Sequence, residues 1–294
     1  MKNLLKVMSL LTITLMLTSC EDKAFREGKI VAGGQYVSAD TLNKGKQIYA
    51  EYCMACHGVD GDGKGVAHKG LEVPPRNFKL GIIKFGDVVS GDLPHDESIY
   101  KSLKHGLKGS AMLEWDLKPG QMNAVWQYIK TFAPDVWIGK DKELGEKIVP
   151  TKDPFGLARK SAAINIGKAV YHVSANCQSC HRGYVTGEEF NQMSMKLTGE
   201  SAEIDEEFYK IKTQESDHGY LTVPPDFTWH EIKSAQTVEE LYLRLAAGVG
   251  GTSMPAWKGT IEDEEIWAVA HYVRSLMDLK NTPKRKELMD RLGQ

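Results

Sequence analysis

Cysteine is scarce in this 294-residue chain, with five in all, and that excludes a scaffold stapled by many disulfides. An excess of one charge is missing too. Lysine and arginine number 37 against 39 aspartates and glutamates, a formal charge of -2, and the basic residues are scattered; no electrostatic footprint for nucleic acid exists. Long apolar runs are absent after the N-terminus, where the stretch from Val7 to Leu17 is itself short for a membrane span, so no spanning helix is expected. Period-two strand patterns are rare, which points to an all-α architecture. What remains is ordinary globular composition, 41% apolar and 26% charged, enough for two domains.

Lys2 and Lys6 ahead of the Val7–Leu17 run make a secretory signal over residues 1–19. The run ends in Leu17-Thr18-Ser19-Cys20, which resembles the lipobox of bacterial lipoproteins. That resemblance implies cleavage before Cys20, acylation of Cys20, and attachment to a membrane by lipid, with residues 20–38 as a tether. The expected location is the bacterial cell envelope, facing the periplasm or on the outer surface.

The four other cysteines form two pairs, Cys53-Met54-Ala55-Cys56-His57 and Cys177-Gln178-Ser179-Cys180-His181, and each pair belongs to one of two copies of a common plan. Leu42–Tyr49 leads into the first and Ile164–Tyr171 into the second, both with G-K-x-x-Y. Pro74-Pro75 with Phe78 follows the first motif, and Pro224-Pro225 with Phe227 follows the second. Then come Gly106, Gly109, Met112 and Trp115, matched by Gly248, Gly251, Met254 and Trp257. Each copy closes on apolar residues at helical spacing: Met122, Val125, Trp126 and Ile129, then Ile266, Val269, Ala270 and Val273. The expected limits are 39–133 for domain one, 134–158 for a Pro- and Gly-containing connector, 159–280 for domain two, and 281–294 for a charged, solvated tail with some helical character. The copies differ in an acidic insertion, residues 185–223, which reads either as a solvated loop or as a docking face for a basic redox partner.

C-x-x-C-H is the attachment motif of c-type haem. Two thiols on one turn meet two vinyl groups as thioethers, at Cys53 and Cys56 and at Cys177 and Cys180. His57 and His181 then supply the proximal imidazoles. Zinc is the rival, but its paired C-x-x-C motifs sit about 15 to 20 residues apart, and these two lie much further apart in the chain. Two haem c groups are therefore expected.

Both copies resemble the class I cytochrome c domain, and together they resemble the diheme cytochromes c of the bacterial periplasm. The resemblance covers Asp40–Phe132 and Ala162–Met277 and implies an all-α fold of two tandem domains, each around one covalent haem. It implies that Gly45 and Tyr49 cross the helix of Tyr128, that Gly167 and Tyr171 cross that of Tyr272, and that a prolyl carbonyl, from Pro74 or Pro224, holds each imidazole N–H. Met112 and Met254 are the implied sixth ligands, with His95 and His105 as rivals for the first haem and Met193, Met195 and His218 for the second. Thioether ligation closes both irons to substrate. The expected function is electron transfer with redox protein partners, as a carrier or as the cytochrome subunit of a respiratory oxidoreductase, rather than catalysis. A diheme cytochrome c peroxidase is the enzymatic alternative; a diheme enzyme with a cysteine axial ligand is disfavoured because no free cysteine remains.

Overall fold

The computed structural model describes residues 23–294, so the expected signal peptide and Cys20 lie outside the described residues. The first half contains β1 (Lys29–Val31), β2 (Gln35–Val37), α1 (Ala39–Tyr52), α2 (Met54–His57), α3 (Asp96–His105), α4 (Pro119–Lys130) and α5 (Pro134–Trp137). The second contains α6 (Lys160–Ala169), α7 (Gly187–Thr198), α8 (Val238–Ala247), α9 (Asp263–Met277) and α10 (Pro283–Leu292). The only sheet among the described residues is the β1–β2 hairpin, and the fold is two all-α domains with separate apolar cores.

In each domain an opening helix crosses a closing one, α1 over α4 and α6 over α9. Ser38 starts α1 by accepting the Thr41 backbone N–H on its Oγ at 3.2 Å. The buried residues Leu42, Gly45, Ile48 and Tyr49 recur every three or four positions and so make one face. At the crossings the backbones touch, and only glycine permits it. A Cβ on Gly45 would collide with the Ala124 carbonyl, and one on Gly167 with that of Ala268. Tyr49 and Tyr128 then meet edge to face at 5.4 Å, and Tyr171 and Tyr272 at 5.5 Å. Gly45→Ala and Gly167→Ala are each expected to destabilise their own domain by about 1–3 kcal/mol through overpacking. Thermal unfolding of the holoprotein checks this; an unchanged midpoint would show that the crossing tolerates a methyl group.

The helix pair flanking each methionine loop is clamped by a carboxylate. Asp96 of α3 accepts from Trp126 Nε1 at 2.8 Å, Gln127 Nε2 at 2.7 Å and Lys130 Nζ at 2.7 Å, all on α4. Lys130 is buried, and its ammonium also lies over the rings of Trp126 and Trp137. In the second domain Asp263 of α9 accepts from Tyr242 of α8 and from Thr151 of the connector.

Three segments are more ordered than their composition suggests. Part of the stretch expected as a tether is the β1–β2 hairpin: Val31 and Val37 are buried, Val31 bridges Ile138, and Ala32 N–H donates to the Trp137 carbonyl at 2.8 Å. One buried valine from each strand supplies the apolar face that seats it. The connector contributes Trp137 to the first core and Ile148 and Phe155 to the second. In the tail α10 buries Met289 and Leu292, and Arg291 pairs with Glu189 at 2.8 Å.

The domains meet through the segment around residues 82–90 of the first and the methionine loop of the second. Gly250 N–H donates to the Lys84 carbonyl at 2.9 Å, Ser90 N–H to the Ala247 carbonyl at 2.8 Å, and Arg244 Nη1 to the Gly86 carbonyl at 3.2 Å. A Cβ on Gly250 would strike the Ile83 carbonyl.

Candidate haem-binding sites

Each C-x-x-C-H sequence closes a single helical turn. Cys56 N–H donates to the Cys53 carbonyl at 3.2 Å and His57 N–H to the same carbonyl at 2.9 Å; the second copy repeats this from Cys180 and His181 to Cys177 at 3.2 and 3.0 Å. The turn is tied back to the opening helix by the tyrosine of G-K-x-x-Y. Tyr49 donates to the Gly58 carbonyl at 2.7 Å and Tyr171 to that of Arg182 at 3.0 Å. All four cysteines are unpaired and partly buried. Burial, with a smaller contribution from the second thiol of each pair, pushes Cys53 and Cys177 up to about 12.

His57 Nδ1 donates to the Arg76 carbonyl at 3.0 Å, and His181 Nδ1 to the Pro225 carbonyl at 3.1 Å. These acceptors correct the expectation of Pro74 and Pro224. The physical marker is the ring that follows: Phe78 stacks on His57 at 4.5 Å and Phe227 on His181 at 4.8 Å, both at 23°. Each carbonyl belongs to the residue two before its phenylalanine, so the repeat is registered by the phenylalanine, and the Pro-Pro pair slips by one residue between copies. With Nδ1 protonated, Nε2 carries the free lone pair, the tautomer in which an imidazole can ligate a metal. Burial lowers the affinity of both imidazoles for a second proton, which favours the neutral form that metal binding requires.

The methionine loops match atom for atom in their backbone bonding. Leu107 N–H donates to the Met112 carbonyl at 2.8 Å and Val249 N–H to the Met254 carbonyl at 3.2 Å. Gly106, Gly109, Gly248 and Gly251 have φ of 61°, 68°, 74° and 67°, left-handed values that explain the paired glycines. A hydroxyl two residues before each methionine completes the loop. Ser110 Oγ accepts the Met112 N–H and Thr252 Oγ1 the Met254 N–H, both at 3.3 Å, while the same hydroxyls donate to the carbonyls of Leu107 and Val249 at 2.6 and 2.8 Å. Ser110 and Thr252 were legible only by aligning the copies on their methionines. Trp115 and Trp257 leave the loops alike, donating backbone N–H groups to Leu103 and Leu245 at 3.0 and 3.1 Å.

The other ligand candidates are engaged elsewhere or lie apart. His95 Nε2 meets the Gly145 carbonyl at 3.0 Å and His218 Nε2 the Gly250 carbonyl at 3.1 Å. His105 is exposed at the end of α3, and Met193 and Met195 stand on α7 in the insertion. That insertion rejoins the common plan at Lys212, whose N–H donates to the Cys180 carbonyl at 3.0 Å as Gly65 N–H does to Cys56 at 3.1 Å. Its α7 is capped by Thr186 and held through Glu189 by Arg291, while Glu200, Glu203, Asp205, Glu206 and Glu207 face solvent.

The donor set fits haem c. Cys53, Phe78, Met112 and Trp115 pack on the first core yet keep part of their surface outside it, as Cys177 and Trp257 do on the second. Among the described residues no cluster of three or more His, Cys, Asp or Glu side chains is placed to hold a bare metal ion.

Residues 40–129 and 162–273 match the family described as cytochrome C oxidase, cbb3-type, subunit III. A chain of the reducing HAO-like protein complex of Kuenenia stuttgartiensis is similar over 79% of this chain and 95% of its own, at 30% identity and a TM-score of 0.62. No curated protein matches the sequence. The family match falls on both domains and includes both C-x-x-C-H turns; the chain belongs to this family of cytochromes c, which bind haem covalently and transfer electrons.

Proposed function

We propose that the chain is a two-haem electron relay, with thioether links at Cys53 and Cys56 and at Cys177 and Cys180, and axial pairs His57 with Met112 and His181 with Met254. The observation that carries this reading is the equivalence of the two sites: the same imidazole-to-carbonyl bond, the same ring stacked on the imidazole, and the same hydroxyl-buttressed methionine loop. The iron of a bound haem supplies one-electron chemistry. The protein's part is to hold each imidazole neutral and oriented, to keep a sulfur ligand in a fixed loop, and to set one site against the other through a bonded domain junction. The domain limits proposed are 39–133 and 159–280.

The relative in the reducing HAO-like complex supports a role as the cytochrome subunit of a larger redox assembly, with donor and acceptor proteins as partners. No helix of the described residues is long and apolar enough to cross a membrane, and the lipobox-like sequence ending in Cys20 supports a lipid anchor in the cell envelope.

One preparation tests these readings. Protein purified from the membrane fraction should begin at an acylated Cys20 by mass spectrometry, show no rapid carbon monoxide binding when reduced, and not oxidise a reduced donor cytochrome with peroxide. Rapid carbon monoxide binding at one haem together with peroxide turnover would establish the peroxidase alternative. An unmodified N-terminus elsewhere would remove the anchor.

A further inference from the structure

The two sites share a plan but differ at two positions beside the histidine. By the bonds they make, Gly58 and Arg182 are equivalent: each follows its histidine and offers its carbonyl to the tyrosine of the opening helix. Asn77 and Asp226 are equivalent too, each standing between the residue whose carbonyl holds the imidazole and the phenylalanine stacked on it. In the first site neither position is charged, and Asn77 Oδ1 caps its own turn by accepting the Lys79 N–H at 3.0 Å. In the second they are a cation and an anion, and the two meet.

Asp226 is 4% exposed. Arg182 Nη1 donates to its Oδ2 at 3.2 Å, while Nε and Nη2 of the same guanidinium are buried without a hydrogen-bond partner. Asp226 Oδ1 accepts from the Tyr184 hydroxyl at 3.1 Å, the Thr228 hydroxyl at 2.7 Å and the Thr228 N–H at 2.8 Å. The Tyr184 oxygen in turn accepts the Phe227 N–H at 2.8 Å. Arg285 of α10 comes within 3.9 Å of Oδ2 and donates to Thr228 Oγ1 at 3.2 Å. Burial acting alone would raise this carboxyl; the bonds from Thr228, with Arg182 and Tyr184, outweigh it and hold Asp226 below the ordinary carboxylate range, as an anion. Arg182 and Tyr184 follow His181 in the chain, and Asp226 and Phe227 follow Pro225. Their bonds therefore tie together the two segments that the His181 Nδ1 bond to the Pro225 carbonyl also joins.

We infer that Arg182, Tyr184 and Asp226 are positioning residues of the second site, a clamp that fixes the bond from His181 to Pro225 and so holds down the potential of the haem that His181 ligates. The inference rests on the two-haem reading above. A carbonyl fixed against the imidazole N–H raises the basicity of the other ring nitrogen, and a more basic ligand favours ferric iron. The charge of Asp226 acts in the same sense, and without it the Arg182 cation is left unbalanced. The first site has no such clamp, so the device sets one haem independently of the other.

The test is Asp226→Asn in the holoprotein, which keeps the shape of the side chain and removes its charge. Midpoint potentials are measured, together with hydrogen exchange of the ligand imidazole N–H groups in the ferrous state, by NMR of protein labelled with nitrogen-15 in histidine. Signals of the second haem are identified as those altered in Met254→Ala. The expected result is a shift of about tenfold toward the ferrous form at the second haem, which for one electron is about 59 mV upward, with faster exchange at His181 and neither change at the first haem or at His57. Tyr184→Phe keeps both charges and loosens the clamp alone; it should speed the same exchange and raise the same potential by less, and it decides the matter if Asp226→Asn fails to accumulate. Glu189→Gln removes a carboxylate of the same domain that pairs with Arg291 outside the clamp, and should leave both readings unchanged.

Unchanged exchange at His181 in both clamp variants would overturn the inference even with a shifted potential, since Asp226 would then act only as a remote charge. So would faster exchange with an unmoved potential, or an equal shift at both haems. Haem content and the sulfur-to-iron absorption band, recorded on the same samples, separate these outcomes from failure of the two-haem reading, which would appear as one haem per chain or no thioether ligation.

Discussion

Met254→Ala is expected to remove the sulfur-to-ferric-iron charge-transfer band of the second haem and leave that of the first, with Met112→Ala doing the reverse. Each change should lower the potential of its own haem by at least about 0.1 V, within the roughly 0.8 V over which axial ligands set haem potentials. Thioether sulfur favours ferrous iron, and alanine leaves water or a stray side chain in its place. The loops should survive, because the bonds that shape them come from Leu107, Ser110, Val249 and Thr252 and engage only the backbone of each methionine. Potentiometry with absorption spectra on each variant checks the pair. Persistence of both bands in both variants would return the assignment to the histidines and methionines of the flanking loops.

The double change Cys53→Ser with Cys56→Ser is expected to halve the haem that remains with the denatured chain and to unfold the first domain while the second stays loaded. The reasoning is one of core size. The first domain is small, and Cys53, Phe78, Met112 and Trp115 sit at the margin of its core rather than inside it, so a bound haem would complete the apolar interior and its binding energy becomes folding energy. The second core is a separate cluster with its own helix crossing, and its cysteines are untouched. Haem stain on denaturing gels gives the count and circular dichroism the loss of helix. Acid-acetone extraction that strips haem from the wild-type chain would refute thioether attachment, and a variant retaining two haems would refute these cysteines.

A repeated C-x-x-C-H, a glycine four residues before a tyrosine, and a methionine after paired glycines are local signals, and each carries its own chemistry. They set the attachment turns, the helix crossings at Gly45 and Gly167, and the positions of the methionine loops, because each depends on residue type at fixed spacing within a few turns of chain. What depends on which backbone atom comes to rest beside which side chain was not readable in this way. Arg76 rather than Pro74 meets His57, since the approach is governed by Phe78 packing on the imidazole, and proline composition is silent on it. The hairpin of Val31 and Val37 reads in sequence as a tether and the terminal helix of Met289 and Leu292 as a solvated tail with some helical character, because each segment is too short to signal a buried face until a neighbouring core presents the surface that covers it. The bonds of Arg76 to Tyr220 and of Lys84 to Gly250 join residues more than a hundred positions apart, and only the docking of one domain on the other creates them.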